Sequence, residues 1–239
     1  MISADLPGAR TRHNTANIIK FVLVKICEIM KKANNNFKTS VSKRNAILNI
    51  ASDIFLKRGY QGASVNEMAR KSGISKETFY RYFKNKEQLF LAVIDKELQI
   101  YWDGLSLLDY VEKDEHALNT LSYVGTELIK YFVSERTMSL RKLIFNECAN
   151  HPKIGKTYYS HGPERAYKAM KKYFDRQKKK GVKWRLNSRV LAENFVSLLL
   201  HKLTVEQQCR IKPRPNLRQI RKMTSNIARD FVVVYRENN

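Results

Sequence analysis

No proline stands between Pro7 and Pro152, and along that stretch apolar residues recur three and four positions apart instead of alternating. Proline fixes φ and removes a backbone donor, so its absence together with this period favours helices over strands. After Gly8, glycine interrupts the stretch only at Gly59, Gly62, Gly73, Gly104 and Gly125. Strand signals are nearly absent, and the chain reads as all-α.

The 239 residues, 43% of them hydrophobic, suffice for one large domain or two modest ones, each with its own core. The formal net charge of +23 suits a polyanionic partner, either nucleic acid or an anionic membrane surface. The excess does not locate a site. Residues 45–102 carry nine Lys and Arg against six Asp and Glu, and residues 181–239 carry twelve against four.

Cys27, Cys148 and Cys209 are odd in number and far apart, with no CxxC pair among them. Neither a disulfide framework nor a metal site is expected, and no cofactor is implied. Free thiols suit a reducing cytosol, so a cytoplasmic location is expected. No uncharged apolar run reaches the ~18 residues of a membrane span. The nearest, Ile18–Met30, is interrupted by Lys20, Lys25 and Glu28 and lacks a signal-peptide cleavage site.

Residues 1–40 read as an N-terminal extension, with Asn34-Asn35-Asn36 as a linker. Met30-Lys31-Lys32 resembles an ordinary start, so one expectation is that residues before Met30 are not native. The rival expectation is an amphipathic helix that packs on the body or on lipid.

From there the helices follow their punctuation. The first runs from about Ser42 to Lys57, with Ile47, Leu48, Ala51, Ile54 and Phe55 on one stripe and Gly59 after its cationic end. A second follows Ser64, with Glu67 placed to complete a capping box. A third follows Ser75, and a fourth follows Asn85. Beyond Gly104, amphipathic segments cover Leu118–Phe132 and Arg136–Ala149. His151 to Gly155 reads as a break, and Pro163 opens the next helix. The last two helices are expected at about Ser188–Gln208 and Leu217–Arg236.

A short helix, a sharp turn at Ser72-Gly73-Ile74-Ser75 and a second short helix make the arrangement of a helix-turn-helix. Gly73 permits positive φ at the turn, and Ala69 is small enough for close approach. Val65, Met68, Ile74 and Phe79 are placed to form a small core. The following helix then presents Lys76, Glu77, Thr78, Tyr80, Arg81 and Tyr82, groups suited to base edges and phosphates. The shape alone would also fit an ordinary helical hairpin.

Residues 44–90 resemble the N-terminal domain of tetracycline-repressor-type (TetR) regulators. The matching run is Arg44, Ile47-Leu48, Ala51, Phe55, Gly59-Tyr60, Ser64-Val65, Met68-Ala69, Gly73-Ile74-Ser75-Lys76, Thr78-Phe79-Tyr80, Tyr82-Phe83, Lys86-Glu87 and Leu89-Phe90. The resemblance implies a three-helix DNA-binding domain over residues 41–90. A linking helix would join it to a helical ligand-binding and dimerisation bundle over residues 91–239. It also implies site roles. Ser64 and Ser75 would hold phosphates at helix N-termini. Lys76 and Thr78 would enter the major groove, Tyr80 would contact a phosphate, and Lys86 would contact the DNA backbone. Glu77 departs from the usual small residue, either to accept from a cytosine amino group or to stabilise its own helix turn. Tyr82 replaces a frequent histidine.

The segment from Arg141 to Glu147, with His151-Pro152, Tyr158-Tyr159 and Gly162-Pro163-Glu164-Arg165, is similar to C-terminal domains of the AcrR/AefR-like branch. That similarity implies control of efflux or stress genes. A cavity for a small hydrophobic effector is expected between Trp102 and His201, with Trp102, Tyr123, Phe132, Phe145 and Cys148 as candidate lining. His151 and His161 read as solvated loop positions. Two apolar stripes, one with Leu191, Phe195, Leu198, Leu199 and Leu203 and the other with Ile220, Met223, Ile227, Phe231 and Val234, are candidates for a homodimer interface or for the subunit's own core.

The expected function is a ligand-responsive repressor that binds double-stranded operator DNA as a homodimer. Effector would favour a state in which the fourth helix misplaces the recognition helices. Two alternatives remain at this point: an effector-independent DNA-binding protein of the same fold, and a membrane-surface protein using Ile18–Met30. No glycine-rich phosphate loop, nucleophile elbow or metal-ligand cluster suggests an enzyme.

Overall fold

A computed structural model describes residues 41–104 and 116–237. The extension over residues 1–40, including Ile18–Met30 and Cys27, lies outside the described residues. The chain divides into two compact units, residues 1–47 and 48–239. Residues 41–47, the described part of the first, are helical. The second unit holds everything that follows.

Its elements are α1 (residues 48–62), α2 (Val65–Lys71), α3 (Lys76–Tyr82), α4 (Lys86–Gly104), α5 (Ala117–Phe132), α6 (Glu135–Glu147), α7 (Pro152–His161), α8 (Pro163–Lys179), α9 (Ser188–Gln208) and α10 (Leu217–Tyr235). No strand occurs among the described residues, and the one β-type contact is an isolated bridge between Trp184 and Arg236.

Side-chain caps start several of these helices. Ser75 accepts from the Thr78 N–H, Ser134 from Thr137, and Asn187 from Val190. Asn216 and Gln219 form a full capping box at α10, which satisfies two otherwise orphaned donors. One expected cap is absent. Ser64 has N-cap backbone geometry but makes no side-chain cap bond, and the Glu67 carboxylate meets Arg58 at 3.2 Å and Lys71 at 3.1 Å. The expected break at His151 to Gly155 is also corrected. Pro152 occupies the first turn of α7, where its missing N–H costs no bond.

The main core lies among α5, α8, α9 and α10, with Leu121, Tyr173, Phe174, Phe195 and Phe231 fully buried. Gly125 sits inside α5, where the helices approach closely. A Cβ there would stand 3.0 Å from Leu199 Cδ2 and 3.3 Å from Thr224 Cγ2. Beside it the Thr126 and Thr224 hydroxyls share a buried 2.9 Å hydrogen bond.

This core takes up most of the two expected dimer stripes. Leu191, Phe195, Leu199, Ile220 and Phe231 are each 3% exposed or less, and Met223 and Ile227 are half-buried against the same cluster. Phe231 packs against Phe174 at 5.8 Å and Phe195 at 5.3 Å. The five fully buried residues are therefore removed from any interface. The apolar side chains that α9 and α10 leave outside are Leu198, Val205, Leu217, Val233 and Val234.

Candidate nucleic-acid interface and effector cavity

The turn between α2 and α3 is built from backbone bonds. Ile74 N–H reaches Ala69 O at 3.2 Å, and Gly73 N–H reaches Arg70 O at 3.1 Å. This is a Schellman closure, with Gly73 at φ 65° in the left-handed region. Met68 and Phe79 are fully buried, while Val65 and Ile74 are half-buried.

On α3, Lys76, Tyr80 and Arg81 are exposed, and Thr78 and Tyr82 are half-buried. Lys76 and Tyr80 are four residues apart and share a face. The Arg81 guanidinium lies 6.0 Å from the Tyr82 ring centroid. Ser75 is exposed, but its oxygen is engaged in capping, and its hydroxyl donates to Thr78 Oγ1 at 3.2 Å. Ser64 is exposed at the start of α2.

Glu77 is exposed in the first turn of α3. Its carboxyl is held below the usual carboxylate range, chiefly by its own backbone N–H and then by the Ser75 hydroxyl. Lys86 is likewise engaged within the subunit. Its Nζ lies 3.4 Å from both Gln61 O and Ala63 O and 4.7 Å from the Tyr60 ring centroid. It ties the α1–α2 link to α4, so the expected DNA-backbone lysine already has three partners.

α4 joins the two halves of this unit. At its start Phe90 packs between Phe55 at 4.8 Å and Tyr60 at 5.2 Å. Midway, Glu97 accepts from Arg136 Nε and Nη2, both at 2.7 Å, and from the Ser52 hydroxyl at 2.8 Å. Arg136 also reaches Ser52 at 2.9 Å and Asp53 at 3.3 Å. The two histidines read as solvated have carboxylate partners on α4: His151 lies 3.8 Å from Glu87, and His161 lies 2.7 Å from Asp95. Near its end Trp102 donates to His161 O at 2.9 Å.

The same end of α4 walls a cavity of about 610 Å³, within the range of small-molecule sites. Leu98, Tyr101 and Trp102 face it from α4, and Thr137, Leu140, Arg141, Ile144, Phe145 and Cys148 from α6. Leu128, Tyr131 and Phe132 of α5 and residues of α7, α8 and α9 complete it. Trp102, Phe132, Phe145 and Cys148 line it as expected, whereas Tyr123 is half-buried elsewhere on α5. Sequence reasoning missed Tyr101, Tyr131 and Arg141. Burial pushes the Tyr101 phenol well above its ordinary range, and burial likewise pushes Tyr131 up to about 12. Both rings therefore stay neutral, stacked 3.5 Å apart.

Among the described residues no helix is long and apolar enough to cross a membrane, and no group of His, Cys, Asp and Glu is placed to hold a metal ion.

Comparison with known proteins agrees with this geometry. Residues 47–93 match the family of bacterial regulatory proteins, tetR family, and residues 119–237 match the AefR-like transcriptional repressor C-terminal domain. The HTH-type transcriptional activator FasR of Mycolicibacterium smegmatis is 38% identical over 63 residues, 26% of this chain and 29% of that protein. An HTH-type regulator of Lactococcus lactis is 30% identical over 105 residues, 44% of this chain. The chain spans half or less of the length of these two relatives. A solved putative TetR-family regulator from Mesorhizobium loti superposes with a TM-score of 0.77 at 25% identity, over 83% of this chain and 98% of that one. These relatives are regulators of transcription and not enzymes. The chain belongs to the TetR family and is a DNA-binding transcriptional regulator with an AefR-like C-terminal domain.

Proposed function

We propose that this regulator is a ligand-responsive repressor that binds its operator as a homodimer and is released by a small molecule held in the α4–α9 cavity. The observation that carries the reading is the double duty of α4. Its start packs into the helix-turn-helix through Phe90, and its end walls the cavity through Leu98, Tyr101 and Trp102. A ligand that fits the cavity only when α4 is displaced would shift the population away from the DNA-binding state. A coupling of about 1–3 kcal/mol changes operator affinity roughly 5- to 150-fold.

DNA contact is assigned to Lys76, Thr78, Tyr80 and Arg81, with Tyr82 on the same helix and Ser64 and Ser75 at the two helix starts. Their exposure and spacing support this reading. Lys86 is assigned to holding the domain together, since it donates to the Gln61 and Ala63 carbonyls, and Glu77 to steadying the first turn of its own helix. The dimer would use the outward side of α9 and α10, through Leu198, Val205 and Val234 rather than the buried residues of the stripes. The proposal includes action in the cytoplasm on efflux or stress genes, and the match to an AefR-like repressor domain supports the repressor part of it. An effector-independent protein would need no cavity of this size, so the ligand-responsive reading is favoured.

Footprinting on DNA flanking the protein's own gene, repeated with Lys76→Ala and Tyr80→Ala, tests the assignment. A protected palindrome that both variants lose is the expected result. Variants that protect it as well as wild type would overturn the placement. A ligand screen scored by loss of protection tests the response.

A further inference from the structure

The polar groups of the cavity are one-sided in charge. Arg141 lines it from α6, is only 7% exposed, and its Nε is buried without a hydrogen-bond partner. The guanidinium carbon lies 3.7 Å from the Phe132 ring centroid and 5.5 Å from that of Phe145. No Asp or Glu stands among the described residues that line the cavity. The Tyr101 hydroxyl, also in the wall, is buried and lacks a partner.

A buried cation without a counter-ion is costly, and stacking on aromatic rings compensates only part of the lost hydration. A carboxylate would complete the site, because a guanidinium presents paired donors that match its two oxygens. The aromatic wall taken alone would suit a quaternary ammonium as well. Arg141 decides against that, since it would repel a cation in the same space.

We infer that the effector is a small amphipathic anion, a carboxylate on an apolar chain or ring. Its head pairs with Arg141 and accepts from the Tyr101 hydroxyl. Its body lies against Leu98, Trp102 and Ile144. This inference rests on the ligand-responsive reading above and names the ligand class of that cavity.

The test uses the full-length protein and three probes that share a ten-carbon chain: decanoate, decanol and decyltrimethylammonium. Calorimetry and the fluorescence of Trp102 report binding, and operator affinity is measured with each probe. Decanoate is expected to bind at least tenfold tighter than decanol, and the cation more weakly than either. Arg141→Gln is expected to erase the preference for decanoate over decanol, and Arg141→Lys to keep part of it. Thermal unfolding shows whether each variant is folded, and the wild-type series decides the matter even where a variant is not. Equal binding of decanoate and decanol, preference for the cation, or no binding of any probe overturns the inference. Arg141-dependent decanoate binding that leaves operator affinity unchanged supports the anion site and instead overturns the ligand-responsive reading.

Discussion

Arg136 of α6 grips Glu97 of α4 through two 2.7 Å hydrogen bonds, and the same guanidinium reaches Ser52 and Asp53 of α1. The regulatory bundle thus reaches α1 through this arginine, beside the Gln61–Glu147 hydrogen bond at 3.0 Å and the Tyr60–His151 ring contact at 5.2 Å. Burial works to raise the Glu97 pKa, but the bonds from Arg136 and Ser52 and the nearby positive charge outweigh it and hold the carboxyl below its ordinary range. A depressed folded-state pKa stabilises above the unfolded value of about 4.3 and is lost as pH falls through the folded value. Arg136→Ala is therefore expected to lower stability near neutral pH by about 1 kcal/mol, a modest figure because the arginine is half exposed. The deficit relative to wild type should shrink as pH falls below about 4. Urea unfolding across pH checks this, and a deficit independent of pH would remove the ion pair as its cause.

Substitutions on α3 should separate affinity from specificity. Lys76→Ala is expected to weaken binding to operator and random DNA together and to reduce the salt slope by about 1. Glu77→Gln removes a negative charge close to the phosphates without removing a base contact, so it should strengthen binding to both DNAs alike. Binding curves at several salt concentrations decide, and a changed base preference in Glu77→Gln would restore the cytosine-reading role.

Gly73→Ala places a Cβ on a residue at φ 65°. Left-handed backbone costs an L-residue about 1–2 kcal/mol. The variant should unfold at lower temperature and bind operator less well, because the Schellman closure sets the angle between α2 and α3. An unchanged melting temperature would contradict the turn geometry.

The buried and outward residues of α9 should respond differently. Phe195→Ala empties a fully buried site and is expected to cost about 3–5 kcal/mol of stability. Leu198→Arg, at a position 52% exposed, should leave the subunit folded and produce a monomer. Light scattering and thermal melts distinguish the two. A dimeric Leu198→Arg protein would move the interface elsewhere.

A helix start was legible where a capping residue announces it, as at Ser75, whereas the Asn187 and Asn216 caps emerged only from the structure. Pro152 misled because a proline ends one helix as readily as it opens another. The turn at Gly73 was legible because few residues other than glycine hold its φ. Periodicity found the apolar faces of α9 and α10 but not what covers them, so residues such as Phe195 were equally compatible with a dimer and a core. The cavity was legible in its aromatic wall. Arg141 escaped notice because a charged residue on an amphipathic helix normally faces solvent, although its spacing from Thr137, Ile144 and Cys148 places it on the cavity side of α6. Lys86 showed the limit of reading a site residue by residue, since the carbonyls of Gln61 and Ala63 that it meets come from backbone that the pattern does not display.

The position of Glu97 along α4 also has a mechanical consequence. At a rise of about 1.5 Å per residue, it stands roughly 16 Å from Lys86 and roughly 8 Å from Trp102. Under the proposed ligand response, with Arg136 as the pivot, a rigid α4 would be a lever with unequal arms. A sideways displacement at Trp102 would be about doubled at Lys86, so a small intrusion at the short arm would become a larger swing beneath the recognition helix.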